Sequence, residues 1–225
     1  MFSNIAANLQ AVRSSIPSGV ELVAVSKFHP VRALLAAYAA GQRLFGESRV
    51  QEFLAKREQL PADIRWHFIG HLQTNKVRSI IGKTALIESI DSERLLRLVD
   101  DESARAGVTT DILLQLHVAQ EETKFGFSVE ELEQFFRNGS FSTLRAVNIC
   151  GLMGMASNTD DEDRIRRDFV MVADCFRRIV SDYGRELPYF RKLSMGMSDD
   201  RDIAIACGSN MVRVGTAIFG SRYAP

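Results

Sequence analysis

A lysine that directly follows a short apolar strand is the first candidate for chemistry in this sequence. Lys27 comes after residues 22–26 (LVAVS) and precedes Phe28, His29 and Pro30. At the carboxyl end of a barrel strand it would point into the mouth of the barrel, where burial favours the neutral amine. A neutral lysine is a nucleophile for an aldehyde cofactor or a carbonyl substrate. The alternative interpretation is a solvated lysine at the start of a loop.

Glycines and hydroxyls follow the last two predicted strands. The segment 194–198 (SMGMS) comes at the end of one strand, and Gly215 and Thr216 follow the other. In a barrel of alternating strands and helices, the loops after strands seven and eight are the usual phosphate site. Glycine lets backbone N–H groups approach an anion, and hydroxyls add donors. We expect a phosphate site here, with ordinary turn chemistry as the alternative.

Arg213 lies inside the last predicted strand. Its neighbours Val212 and Val214 take one face of that strand, so alternation places Arg213 on the other. A guanidinium in a barrel lumen needs an anion or an acceptor such as a pyridine nitrogen.

Other polar groups allow a different chemistry. Glu47 and Glu88 stand at strand ends and could form the acid/base pair of a barrel enzyme that acts on a phosphorylated sugar without a cofactor. His71 is best explained as a hydrogen-bonding structural group. His67 and His71 straddle a strand end and would not converge, so no metal site is predicted.

The elements that must position these residues alternate between short apolar runs and segments of helical period. This pattern predicts a parallel sheet, closed as a single (β/α)8 TIM barrel with an extra N-terminal helix over residues 2–15. An open doubly wound sheet is less favoured, because no G-x-G-x-x-G follows the first strand. The predicted strands are residues 22–26, 43–45, 66–69, 86–89, 112–118, 147–153, 192–194 and 211–214.

Some helix ends are also visible. Ser128 and Glu131 form the S-x-x-E pattern of a capping box. Ser198, followed by two aspartates, is predicted to cap a short helix.

The composition excludes several classes of protein. Lys+Arg and Asp+Glu both number 28 in 225 residues, so the net charge of zero gives no footprint for nucleic acid or a membrane surface. The sequence starts without the pattern of a signal peptide, and its longest apolar stretch, residues 33–40, is too short to span a bilayer. We expect one cytoplasmic domain over residues 1–225, with Cys150, Cys175 and Cys207 as packing residues.

Six motifs together resemble the YggS/PROSC family of pyridoxal 5′-phosphate (PLP) homeostasis proteins. In chain order they are VAVSKFHP, RLFGESRVQE, WHFIGHLQTNK, GLMGM, LSMGMSDD and VRVGTAIFG, and the resemblance extends from about residue 20 to 222. It implies a barrel like the N-terminal domain of alanine racemase, with PLP as the cofactor.

The resemblance also implies a role for individual residues. Lys27 would carry PLP as a Schiff base, and Ser194 with the backbone of Gly215 and Thr216 would cradle its phosphate. Arg213 would face the pyridine nitrogen. Two further positions, Asn75 and Met153, would line the ring pocket, and Lys124 would be a secondary aldehyde site, unless it is simply an exposed loop lysine.

Two positions depart from the common family pattern. Ser48 replaces the asparagine of F-G-E-N, which puts a side-chain amide contact in doubt. His29 replaces the second lysine of K-x-K, so a transfer step that depends on that lysine would differ here.

The family is thought to hold and deliver the cofactor, with apo forms of PLP-dependent enzymes as recipients. The alternative is a PLP-dependent amino-acid racemase. A racemase needs a base on each face of its substrate, and relatives take the second, a tyrosine, from another domain. No tyrosine directly follows a predicted strand, and the chain ends shortly after the eighth. We therefore expect a monomeric carrier that is not an enzyme.

Overall fold

The structure is a computed structural model that describes residues 4–121 and 125–221. Within those residues, eight parallel strands form a closed barrel in which each strand pairs with the next and β8 pairs with β1. The strands are β1 Glu21–Val25, β2 Leu44–Glu47, β3 Arg65–Phe68, β4 Leu86–Ile90, β5 Thr110–Leu116, β6 Val147–Gly154, β7 Lys192–Ser194 and β8 Met211–Val214. The predicted (β/α)8 barrel is confirmed.

Helices follow the strands and cover the outside of the barrel. They are α1 Ile5–Ser15, α2 Val31–Ala39, α3 Val50–Gln59, α4 Val77–Ile80, α5 Glu93–Ala106, α6 Val129–Arg137, α7 Glu162–Tyr183, α8 Arg201–Ala206 and α9 Thr216–Phe219, with 3-10 turns at Thr74–Lys76 and Ser140–Thr143. The extra N-terminal helix α1 packs against α2 and α9. In the described part of the chain, none of the helices combines the length and apolar character needed to cross a bilayer.

Two apolar layers stabilise the barrel. The larger one packs the outward strand residues against the helices, and a smaller cluster fills the lumen. The lumen cluster comprises Val23, Leu44, Leu86, Leu113, Cys150, Met153 and Met211. Because side chains alternate along a strand, these inward positions come from alternate residues of several strands.

A bulge in β6 adjusts the barrel next to β7. The pairing of β5 with β6 changes register between Ile112 and Leu113, and Gly151 has a φ of 150°. A Cβ at Gly151 would overlap the carbonyl oxygen of Lys192. Only glycine allows β6 and β7 to approach this closely.

The structure corrects two predicted boundaries. The second strand was predicted at residues 43–45, but β2 extends to Glu47, so Gly46 and Glu47 lie inside the strand. Ser198 does not cap α8, which begins at Arg201 after Asp200. The Met197 N–H donates to the Asp200 carboxylate at 2.5 Å, which closes a turn ahead of the helix. The capping box of Ser128 and Glu131 is confirmed at the start of α6.

Candidate functional site

The segment after β1 combines a half-buried lysine with an unusual backbone. Lys27 lies just beyond the carboxyl end of β1, and the next residue, Phe28, has a φ of 65°. This left-handed conformation is rare for a bulky residue and costs energy unless its surroundings hold it. His29, at the departure from the family pattern, is buried and packs against Phe219 with the rings tilted by 30° and 5.0 Å between their centroids. Burial and the nearby Lys56 lower the pKa of His29, although Glu52 opposes this.

A buried ionic cluster lies beside this segment. Lys56 donates to Glu47 at 2.6 Å, to Glu52 at 2.7 Å and to the carbonyl oxygen of Ser26 at 2.7 Å. The Ser26 hydroxyl donates to the same Glu47 oxygen at 2.6 Å. Glu52 also accepts the Phe28 N–H at 2.6 Å. The cluster therefore joins β2 and α3 to Ser26 and Phe28, the residues on either side of Lys27.

Glu47 is completely buried within this cluster. Its second oxygen, Oε2, has no hydrogen-bond partner. Burial raises the pKa of Glu47, although Lys56 and Ser26 favour its charged form. Its partners hold it inside the protein, which argues against the predicted alternative of an acid/base catalyst.

Arg213 points into the lumen, where alternation along β8 predicted it. One nitrogen donates to the backbone oxygen of Ser194 at 2.9 Å and to its hydroxyl at 2.5 Å, and the other donates to the Gly154 oxygen at 3.0 Å. The guanidinium also lies 3.7 Å from Glu88. Burial lowers the pKa of Arg213, although Glu88 and Asp200 oppose this.

Ser194 and Glu88 continue this network across the barrel. The Ser194 hydroxyl donates to Glu88 Oε2 at 2.6 Å, and His67 Nδ1 lies 2.5 Å from Glu88 Oε1. All three side chains are almost completely buried. Burial opposes ionisation of Glu88, but His67, Arg213 and Ser194 together hold its pKa below the usual value. Glu88 is thus the counter-charge of Arg213.

The loops after β7 and β8 meet at the carboxyl end of the barrel. Gly215 precedes α9, and a Cβ there would lie 3.2 Å from the oxygen of Val25. The Ala217 N–H points to the Ser198 hydroxyl at 3.5 Å, which ties the two loops together. Thr216 begins α9 and is exposed. Backbone N–H groups and hydroxyls therefore lie where the sequence predicted a phosphate site.

The strand register shows which predicted residues come together. Val23 pairs with Arg213 and Ala24 with Val214, so Gly215 is level with the end of β1. On the other side, Met153 pairs with Ser194. Four adjacent strands, in the order β6, β7, β8 and β1, therefore carry the predicted residues Met153, Ser194, Arg213, Gly215, Thr216 and Lys27.

Two predicted residues are not part of this group. Asn75 is exposed in the 3-10 turn after β3 and lines a surface groove with His71 and Asp91. His71 Nδ1 lies 2.8 Å from Asp91, and its ring stacks on Phe125 with 3.7 Å between centroids, which fits the structural role expected for it. Lys124 lies outside the described residues.

The sequence analysis missed the charged cluster around Lys56 and the partnership of His67 with Glu88. The first could have been found in part from Glu52 and Lys56, whose gap of four residues places them on one helix face. The second had no local signal, because its partners come from different strands.

Comparisons with known proteins agree with this geometry. Residues 2–223 match the family model of the alanine racemase N-terminal domain. The chain is 39% identical to the pyridoxal phosphate homeostasis protein of Schizosaccharomyces pombe, over 98% of this chain and 94% of that protein. It is 34% identical to the protein of the same name from Escherichia coli, over 98% of this chain and 97% of that one.

Solved structures give the same result. PipY from Synechococcus elongatus, solved without PLP, has a TM-score of 0.89 at 36% identity, covering 96% of this chain and 100% of PipY. PipY with PLP bound has a TM-score of 0.84. Alanine racemase from Streptomyces coelicolor, at 20% identity and a TM-score of 0.76, shares the fold over 97% of this chain and 58% of its own length. The resemblance seen in the sequence motifs is confirmed, and the chain belongs to the alanine racemase N-terminal domain family, among the pyridoxal phosphate homeostasis proteins.

Proposed function

We propose that this protein binds PLP and serves in its homeostasis, holding the cofactor as a Schiff base on Lys27 and buffering or delivering it. The pairing of β1 with β8 carries the proposal, because it brings the end of β1, which Lys27 follows two residues later, level with Gly215 at one end of the barrel. An amine beside a cluster of anion donors suits an aldehyde that bears a phosphate. The PLP-bound structure of the relative PipY supports the choice of this ligand.

The residues present fit such a group. At Gly215 a side chain would crowd Val25, so the backbone after β8 stays open for an anion. Thr216 and Ser198 add hydroxyls, and Arg213 provides a cationic donor in the lumen for the ring nitrogen. The hydroxyl of Ser194 is already engaged by Arg213 and Glu88, so its part in a phosphate cradle stays a prediction.

PLP provides an aldehyde that reacts reversibly with amines. The protein's task would be to hold the phosphate, orient Lys27 and limit access by water. Asn75 and Met153 stay candidates for the ring pocket, with Met153 buried in the lumen and Asn75 exposed in the 3-10 turn after β3.

The positions of the tyrosines favour a carrier over a racemase. Tyr38 donates to Asp63 at the surface, and Tyr183 packs against Phe136. Tyr189 lines a cavity with Glu21 and Lys192, which begin β1 and β7 at the opposite end of the barrel. Among the described tyrosines, none lies at the carboxyl ends of the strands to act as a second base. The names of the relatives agree with a role in homeostasis.

Chemical trapping tests the site. Borohydride reduction of the PLP-loaded protein, followed by peptide mass spectrometry, is expected to find the cofactor fixed on Lys27. The Lys27→Ala protein should lose the Schiff-base absorbance. Full absorbance in that variant, or cofactor fixed mainly on another lysine, would contradict the assignment.

A transfer assay tests the biological role. We propose that the protein acts in the cytoplasm as a monomer and passes PLP to apo forms of PLP-dependent enzymes. Incubation of the loaded protein with such an apoenzyme should restore the apoenzyme's activity. Rapid racemisation of an amino acid by the loaded protein would instead favour the enzyme alternative.

A further inference from the structure

Three charged side chains at the start of α3 meet the segment containing Lys27. Glu52 and Lys56 lie in the helix, and Arg49 precedes it in an extended conformation. The gap of four residues places Glu52 and Lys56 on the same side of the helix. That side faces residues 26–28, at the end of β1.

Each of these side chains holds a neighbour of Lys27. Lys56 donates to the carbonyl oxygen of Ser26 at 2.7 Å. Glu52 accepts the Phe28 N–H at 2.6 Å, and the guanidinium of Arg49 lies 4.7 Å from the centroid of the Phe28 ring. The residues before and after Lys27 are therefore both fixed by α3.

The backbone of Phe28 makes this restraint necessary. Its φ of 65° lies in the left-handed region, which a bulky side chain adopts only when the surrounding contacts hold it there. A hydrogen bond from an amide to a carboxylate is one of the stronger contacts available. The Ser26 oxygen and the Phe28 N–H belong to the two peptide groups that flank Lys27, so holding both of them restrains the direction of the Lys27 side chain.

Lys56 contributes as a charged anchor. Its ammonium group has three N–H donors, and three oxygens accept them: those of Glu47, Glu52 and Ser26. With all three donors engaged, the side chain of Lys56 is held in place by β2, by α3 itself and by the end of β1. It also holds the same Glu52 oxygen that accepts the Phe28 N–H.

We propose that Glu52, anchored by Lys56, is a positioning residue that fixes the backbone turn at Phe28 and so directs Lys27 into the mouth of the barrel. This inference rests on the proposed function, since it concerns how the proposed PLP-binding lysine is oriented.

Amide hydrogen exchange tests the positioning without the cofactor. In the ligand-free protein the Phe28 amide should be protected, and Glu52→Ala should speed its exchange by at least about tenfold, the factor that a hydrogen bond to a charged group provides. Glu52→Gln keeps an acceptor oxygen and should restore most of the protection. Glu58→Ala, at an exposed position of the same helix, is the control and should exchange like wild type.

PLP titration tests the consequence for the site. Glu52→Ala should weaken PLP binding by about tenfold or more, and Glu52→Gln should bind nearly as well as wild type. Adding Phe28→Gly to Glu52→Ala should recover most of the affinity, because glycine adopts a positive φ without strain.

The outcomes separate this inference from the proposed function. A wild-type protein that does not bind PLP would overturn the proposed function, while the exchange experiment would still test the turn. An unprotected Phe28 amide in the wild-type protein would overturn the inference even if Glu52→Ala fails to fold. Wild-type affinity and exchange in a folded Glu52→Ala protein would overturn it as well.

Discussion

At the scale of single residues, the two buried glutamates of the barrel differ in the charge that surrounds them. Glu88 has Arg213, Ser194 and His67 within reach, and together they lower its pKa despite burial. Glu47 shares Lys56 with Glu52 and leaves one oxygen without a partner, and burial raises its pKa. The surroundings therefore favour the charged form of Glu88, whereas burial disfavours the charged form of Glu47.

Glu88→Gln is expected to reduce the free energy of unfolding by about 3–5 kcal/mol at pH 7, because it leaves Arg213 buried without a counter-charge. Urea denaturation measures the loss. The control is Glu93→Gln, which removes an exposed partner of Arg97 and should cost no more than about 0.5 kcal/mol. Equal losses in the two variants would contradict the role given to Glu88.

The loss of stability in Glu88→Gln should depend on pH, because the pKa of Glu88 is lowered in the folded protein. A carboxyl group whose pKa is lower in the folded than in the unfolded protein stabilises the fold at pH values above the unfolded pKa, which is 4.5 for Glu88. This stabilisation is lost as the pH falls through the pKa of the folded state. The difference in unfolding free energy between wild type and Glu88→Gln should therefore become smaller below about pH 4.5. A gap that stays constant into the acid range would show that charge is not its cause.

At the scale of strands, helices and loops, the sequence was informative wherever the signal is local. Short apolar runs identified all eight strands of the described barrel, and alternation along β8 put Arg213 in the lumen, because both signals depend only on neighbouring residues. The end of β2 was missed because Gly46 is a weak strand former, although it pairs with β3.

The candidate site was predictable only in part, for a physical reason. Lys27 and Gly215 follow strand ends and could be found one at a time. Other contacts join residues that are far apart in the chain. Ser194 hydrogen-bonds to Glu88 and Arg213, and side chains of α3 hydrogen-bond to residues 26–28. Nothing in a local pattern reports such contacts.

A substitution at Gly196, in the loop after β7, tests whether the proposed phosphate site depends on the conformation of that loop. Its φ is 93°, and a Cβ would lie 2.7 Å from that of Ala204 and 2.9 Å from the Cα of Arg201. Gly196→Ala should cost about 2–4 kcal/mol of unfolding free energy and weaken PLP binding, since both strain and a clash displace the loop. Denaturation and PLP titration measure the two effects.

Gly208 provides the control for this substitution. Its φ of 104° is as unfavourable for alanine, but a Cβ there would meet nothing within 4 Å. Gly208→Ala should therefore cost about 1 kcal/mol and leave PLP affinity unchanged. If both variants bind PLP like wild type, the loop after β7 does not contribute to the phosphate site.

At the scale of the whole molecule, the closed barrel links ligand binding to global stability. The residues proposed to bind PLP come from β1, β6, β7 and β8 and the loops after them. They are therefore in place only when the barrel is closed. A ligand that binds only this state stabilises it by mass action.

PLP at one hundred times its dissociation constant should stabilise the protein by about 2.7 kcal/mol, which raises the melting temperature by roughly 5–10 °C for a chain of this length. At the same PLP concentration the Lys27→Ala protein should show a smaller rise. Pyridoxine 5′-phosphate, which has an alcohol in place of the aldehyde, is the control for non-covalent binding of the ring and phosphate. Identical shifts in wild type and Lys27→Ala would contradict a covalent contribution.

The pairing of β1 with β8 has a consequence for a chain that is cut in two. A division near Asp160, in the exposed turn between β6 and α7, would leave Lys27 on one fragment and Arg213 with Gly215 on the other. Neither fragment would hold a complete site. The site would form again only when the two fragments restore the pairing of β1 with β8 and of β6 with β7. PLP would then favour reassembly, so the two fragments, each fused to half of a reporter, would form a sensor for the free vitamin cofactor in living cells.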